Sequence, residues 1–176
     1  MTQTIDLSNL DRHIQQSLNG IRLLYDNQFD AQAKYCTYIL IDQLAWLISG
    51  SESQVNVYFK SWVKKYFIKY YPQITPEEIW ASRNGMLHNH SSISRDIVNQ
   101  KVSRQLFFLD NLKHQEDINP EFNYPSFFVV NTSRFILYAL LGAVNDFGND
   151  LRSGNVPDIE DVKDKLGKLL AEVKPN

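Results

Sequence analysis

Residues Thr75 to Ser92 read TPEEIWASRNGMLHNHSS and contain the clearest helix start in the chain. Thr75 can cap a helix, Pro76 suits the first helical position, and Glu78 completes a capping box three residues after the threonine. The larger apolar residues of the helix that begins here are Ile79, Trp80, Met86 and Leu87. The stretch therefore predicts a capped helix that packs on a core.

The same helix carries a guanidinium, an amide and an imidazole, from Arg83, Asn84 and His88, and a second imidazole follows at His90. An imidazole titrates near neutral pH and can exchange a proton with a ribose hydroxyl. A guanidinium stays charged and can hold a phosphate through two parallel hydrogen bonds. This combination indicates a site that handles a phosphodiester.

The spacing of these groups sets a geometric condition on the site. Asn84 and His88 are four residues apart and share a helix face, so the amide can orient the ring. Arg83 and His88 are separated by about 140° around the helix axis. Either the arginine side chain curls to meet the imidazole, or the site gathers groups from more than one chain. Gly85 is small enough to let another backbone come close, which suits a dimer interface.

Hydrophobic periodicity predicts five further helices, at roughly 7–27, 31–48, 54–71, 132–151 and 157–173. The second is apolar nearly all round, which is typical of a helix at the centre of a bundle or against a subunit partner. The third mixes aromatic residues with lysines. The aromatics fall at core spacing, and the basic face, including Lys64, is the candidate for substrate contact.

Two segments rich in phenylalanine and valine lie between these helices, at 102–110 and 125–133. They can pair as two strands across the polar connection between them, although the first can also extend a helix. The fold class predicted for the single domain 1–176 is mainly α. We expect an antiparallel bundle of five to six helices, with a small β-hairpin insertion around 102–131.

Composition excludes several classes of protein. With 43% hydrophobic and 12% aromatic residues the chain can bury a core, and its net charge of −2 gives no global attraction to nucleic acid. The single cysteine, Cys36, excludes an intrachain disulfide and a thiolate zinc cluster. The start, MTQTIDLSNLDRH, predicts no signal sequence, and the apolar stretch 35–48 is too short to cross a membrane. We expect a cytoplasmic protein without a cofactor or a metal.

The Arg-Asn-x-x-x-His pattern late in a helix of a mainly helical chain resembles the HEPN superfamily. Its signature is an arginine, often followed by a polar residue such as asparagine, and then a histidine after four to six residues. RNGMLH fits with four intervening residues and RNGMLHNH with six, so either His88 or His90 can be the signature histidine. His88 fits the stricter form.

The resemblance implies metal-independent RNA cleavage by a homodimer that packs two motif helices together. One imidazole would take the proton of a ribose 2′-hydroxyl and the other would protonate the leaving 5′-oxygen, giving a 2′,3′-cyclic phosphate. Arg83, Asn84 and His88 would be the catalytic residues. His90, Ser91 and Arg95 would extend the phosphate contacts. Toxin-like or defence-related members of the family are often paired with a nucleotidyltransferase-type antitoxin.

Two other functions fit the same residues. The chain can be a noncatalytic HEPN module that binds RNA or nucleotides. It can also be an unrelated helical dimerisation domain, in which Arg83 only pairs with a carboxylate such as Glu77 or Glu78. RNA cleavage that depends on Arg83, Asn84 and His88 would distinguish the HEPN ribonuclease from both alternatives.

Overall fold

The computed structural model describes residues 7–89, 94–110 and 126–169 of the chain. These residues are mainly helical, as predicted. The α-helices are α1 (Ser8–Asp26), α2 (Asp30–Leu47), α3 (Val55–Trp62), α4 (Pro76–Asn89), α5 (Arg95–Val98), α6 (Leu141–Ser153) and α7 (Ile159–Leu169). Two strands, β1 (Gln105–Leu109) and β2 (Phe127–Asn131), lie between α5 and α6.

The predicted helices are present, and the described residues add one that was not predicted, the single turn α5. Two of the helical stretches also contain a segment whose turns are wider than those of an α-helix. Helix α3 continues into a π-helical segment, Val63–Phe67, in which the Ile68 N–H donates to the Val63 carbonyl 3.1 Å away. Another π-helical segment, Arg134–Leu140, leads into α6. Periodicity of apolar residues does not distinguish these turns from α-helical ones.

The two strands form where the sequence predicts them, but the predicted β-hairpin is wrong. β1 and β2 run parallel, with Gln105 opposite Phe127 and Leu109 opposite Asn131. A hairpin joins antiparallel strands through a short turn, whereas parallel strands need a crossover of a dozen or more residues. The connection 110–126 is long enough for such a crossover.

The core is built around α2 and the aromatic residues of α3 and its π-helical extension. Helix α2 contacts α1, α3, α4, α7 and the segment Arg134–Leu140, as expected for a helix that is apolar nearly all round. Phe135 lies at the centre, with the rings of Tyr38, Phe67, Tyr71 and Phe108 around it. Of the aromatics at core spacing in the third helix, Phe59, Trp62, Tyr66 and Phe67 are buried, so they pack the interior and are not available to stack on bases, whereas Tyr70 is half-buried.

Lysines on the outer face of the third helix hold it against α6. Lys65 pairs with Asp150 at 2.7 Å, and Lys69 pairs with Asp146. The Tyr66 and Tyr70 hydroxyls donate to the same two carboxylates. Among residues 7–89, 94–110 and 126–169, none of the helices combines the length and the apolar character that crossing a bilayer requires.

Candidate functional site

Helix α4 begins at the capping box that the sequence predicts. The Glu78 N–H donates to the Thr75 hydroxyl at 3.2 Å, and the Thr75 N–H donates to a Glu78 carboxylate oxygen at 2.8 Å. Arg104, just before β1, donates to both oxygens of Glu78, at 2.7 and 3.1 Å. The start of the motif helix is therefore fixed by hydrogen bonds from its own first turn and from the sheet.

The orientation of α4 follows from its buried face. Ile79 and Ala81 are fully buried, and Ser82 accepts a hydrogen bond from the buried Tyr38 hydroxyl at 2.9 Å. That face packs inward, so Arg83 and Asn84 lie at its edge, half-buried, and His88 is exposed. The helix thus directs the motif residues to the surface of the fold.

Arg83 contacts both Asn84 and His88 within one chain. Its Nη1 donates to Asn84 Oδ1 at 3.0 Å and lies 3.3 Å from His88 Nε2. The arginine side chain therefore curls toward the imidazole, and one chain is sufficient to bring the two groups together. No hydrogen bond joins Asn84 to His88 among the described residues, so in this state the amide orients the guanidinium and not the ring.

A carboxylate that sequence reasoning missed completes the cluster. Asp42 of α2 accepts two hydrogen bonds on Oδ2, from Arg83 Nε at 3.0 Å and Nη2 at 2.6 Å. Its other oxygen, Oδ1, is buried and has no hydrogen-bond partner in the described part of the chain. Burial raises the pKa of Asp42, while the hydrogen bonds and charge of Arg83 and the charge of His88 oppose that rise.

Sequence alone contains a signal for Asp42. It is one of two polar residues that interrupt the apolar stretch 35–48. A carboxylate inside such a helix needs a cation or hydrogen-bond donors, because burying an unpaired charge is costly. Nothing in the sequence says, however, which of the chain's cations comes within reach of Asp42.

Two aromatic residues border the cluster. The Arg83 guanidinium carbon lies 5.1 Å from the centre of the Trp80 ring, within the range of a cation–π contact. Burial raises the pKa of the Tyr58 hydroxyl, and the charge of Asp42 raises it further. Tyr58 of α3 therefore remains a neutral phenol beside the Asp42–Arg83 pair at neutral pH.

An open cleft of about 660 Å³ lies beside the motif residues. Asn84 and His88 line it together with Arg95 and Asp96 of α5, and Trp80, Ser94, Val55 and Asn56 complete its wall. The structure thus brings together four of the predicted site residues, Arg83, Asn84, His88 and Arg95. The predictions for His90 and Ser91 lie outside the described residues.

Lys64 does not line this cleft. It borders a smaller groove of about 240 Å³, with Val57, Lys60, Ser61, Pro76 and Glu77. Lys60 is 4.0 Å from Glu77, whereas no carboxylate lies within 4 Å of Lys64 among the residues that the structure describes. Its role in substrate contact stays a prediction about a second surface, next to α3 and the start of α4.

Two other expectations about the motif helix are wrong. Neither Glu77 nor Glu78 pairs with Arg83, because Glu78 binds Arg104 and the Arg83 guanidinium is held by Asp42. Gly85 is buried within the chain's own fold, so it cannot be a surface where a second backbone comes close. A dimer interface beside the motif would have to use the exposed side of α4, near His88.

No protein-family model matches the chain, and neither the curated proteins nor the solved structures gave a match.

Proposed function

We propose that this protein is a metal-independent endoribonuclease of the HEPN type, with an active site shared by two identical chains. One observation carries the proposal: Arg83 Nη1 lies 3.0 Å from Asn84 Oδ1 and 3.3 Å from His88 Nε2, and Asn84 and His88 both line an open cleft. The cluster combines a fixed positive charge, a polar orienting group and an exposed imidazole, which are the groups that cleavage of a phosphodiester through its 2′-hydroxyl needs.

The contact between Arg83 and His88 suggests how substrate binding starts the reaction. A hydrogen bond from Nη1 to His88 Nε2 uses the lone pair that the ring needs to act as a base. A phosphate that binds Nη1 takes the donor away from the imidazole. The freed Nε2 can then remove the proton of the neighbouring 2′-hydroxyl, and Arg83 stabilises the charge that grows on the phosphoryl oxygens.

A second imidazole is needed to protonate the departing 5′-oxygen. The described part of one chain supplies a single imidazole to this cleft, His88, so the proposal assigns the second to another copy of the chain. Two-fold symmetric dimers are the commonest homo-oligomers, and such an axis near His88 would place both rings beside one phosphate.

Substrate contacts extend from the reacting phosphate along the cleft. Arg95, exposed on α5, would bind a neighbouring backbone phosphate, and His90 and Ser91, between α4 and α5, would add to this contact. The proposed partner of this ribonuclease is a nucleotidyltransferase-type antitoxin, as for toxin-like members of the family that it resembles.

A second function is favoured by the Arg83–Asp42 contact of 2.6 Å. The side chains of both residues are mostly buried, with 15% and 21% of their surface exposed. In a noncatalytic helical module this pair would serve only to join α2 to α4. Such a protein would bind RNA without cutting it, or would not bind it at all.

Product chemistry tests the proposal directly. Incubated with single-stranded RNA and excess EDTA, the purified protein should leave fragments that end in a 2′,3′-cyclic phosphate and begin with a 5′-hydroxyl. An oligonucleotide of the same sequence with 2′-deoxyribose throughout is the matched control and should stay intact, because it lacks the nucleophile. Mass spectrometry of the fragments identifies both ends.

Three results would overturn the proposal. They are intact RNA, cleavage that EDTA abolishes, and cleavage of the deoxyribose oligonucleotide at a similar rate. RNA that is bound but uncut would instead support the noncatalytic module.

A further inference from the structure

The guanidinium of Arg83 has two chemically different ends. At one end, Nε and Nη2 both donate to Oδ2 of Asp42, at 3.0 and 2.6 Å. At the other end, Nη1 donates to the Asn84 amide oxygen and lies near His88 Nε2. The first end faces α2 inside the fold. The second faces Asn84 and His88, which are among the residues that line the cleft.

The two ends also differ in strength. Every donor of the guanidinium is charged, but only the Asp42 end adds the attraction between two opposite charges, whereas the Asn84 amide oxygen is a neutral acceptor. The Asp42 contact includes the shortest of the four distances, and only 15% of the Arg83 side chain and 21% of the Asp42 side chain are exposed, so water competes weakly for it. A phosphate that enters the cleft would therefore displace the neutral partners of Nη1 before it displaced Asp42.

We propose that Asp42 is a positioning residue: its carboxylate fixes the guanidinium of Arg83 so that Nη1 is the end presented to the reacting phosphate. The inference rests on the proposed function, because it names the residue that sets the geometry of the same site. Asp42 touches neither substrate nor reacting atoms and acts only through Arg83. Without it, the Asn84 amide at Nη1 and the Trp80 ring, 5.1 Å from the guanidinium carbon, are left to restrain the charged group.

Asp42→Asn tests the proposal, since it keeps the shape of the side chain and removes its charge. We expect kcat for RNA cleavage to fall about 100-fold, as for a displaced catalytic group, with KM changed less than about 3-fold because Arg95 and the other phosphate contacts of the cleft still bind the RNA in the ground state. The matched control is Asp26→Asn, which neutralises the exposed Arg22–Asp26 pair and should leave both constants unchanged. A rise in kcat would overturn the proposal, because it would make Asp42 a competitor of the phosphate.

A double variant tests whether Asp42 acts through Arg83. An Arg83→Lys variant lacks the guanidinium that Asp42 holds, so adding Asp42→Asn to it should lower kcat no further. If the two losses multiply instead, Asp42 has a role of its own and the proposal is wrong.

Order at the guanidinium provides a readout that does not depend on activity. The Arg83 Nε–H should exchange slowly with water in the wild-type protein and quickly in Asp42→Asn, as seen by NMR of the arginine side chains. Slow exchange that persists in a folded Asp42→Asn protein would overturn the proposal. If Asp42→Asn does not fold, Asp42→Glu keeps the charge and displaces it by one methylene; it should keep slow exchange and still lower kcat, and full kcat would contradict the proposal.

The proposed function and the positioning role of Asp42 can fail separately. A wild-type protein that cuts no RNA contradicts the proposed function, whatever the exchange measurement shows. A wild-type protein that cuts RNA, with an Asp42→Asn variant that cuts it equally well, contradicts only the inference about Asp42.

Discussion

Replacing His88 with alanine should lower the rate of RNA cleavage by about 10²- to 10⁴-fold, the usual contribution of a general acid or base. The proposed reaction uses this imidazole twice, once from each chain, so the variant removes both the base and the acid. The side chain is exposed, and its one hydrogen-bonding contact in the described part of the chain is with Arg83 Nη1. We therefore expect the folded state to be unaffected.

The matched control is His13→Ala, on helix α1. His13 is half-buried and contacts Gln43 at 3.2 Å, so it is another histidine with one polar partner, but it does not line the cleft. Cleavage should stay near the wild-type rate in this variant. Single-turnover assays with a labelled RNA and melting curves for both variants give the comparison. Wild-type cleavage by a folded His88→Ala protein would remove the motif from the mechanism.

Glu78→Ala should lower the free energy of unfolding by about 3 kcal/mol, near the lower end of the cost of breaking a buried ion pair. Glu78 is 3% exposed, and its carboxylate accepts hydrogen bonds from Arg104 and from the Thr75 N–H. The alanine leaves both donors without their partner and opens a gap at the start of α4. Solvent reaches part of the Arg104 side chain, which is 31% exposed, and this limits the loss.

Its neighbour Glu77 provides the control. The Glu77 side chain is 55% exposed and its nearest cation, Lys60, is 4.0 Å away. Glu77→Ala should therefore change the free energy of unfolding by less than about 0.5 kcal/mol, as for most surface pairs. Urea unfolding of the two variants measures the difference. Equal stabilities would show that the bonds between Glu78 and Arg104 do not hold the motif helix in place.

Local signals in the sequence were sufficient for most of the helices. The capping box of Thr75 and Glu78 forms as predicted, because both partners lie within one turn. The direction of strand pairing was not predictable in the same way. Two short apolar segments indicate strands, but whether they pair parallel or antiparallel depends on the path of the connection 110–126, which local signals in the sequence do not specify.

The site was predictable only where its residues are close in the chain. Arg83, Asn84 and His88 come from one helix, so their proximity follows from helix geometry once the arginine is allowed to curl. Asp42 lies 41 positions away in sequence from Arg83 and reaches it only because α2 and α4 pack together. A long-range contact of this kind depends on tertiary packing, which periodicity and capping do not specify.

Mixing wild-type chains with His88→Ala chains tests the shared active site most directly. If both imidazoles of a dimer are needed, only the wild-type pair cuts RNA. After full subunit exchange at a fixed total concentration, an equal mixture should then keep about one quarter of the activity of the wild-type protein alone, because random pairing makes one dimer in four fully wild type. Activity of about one half, proportional to the wild-type fraction, would mean that each chain works alone and would contradict the composite site.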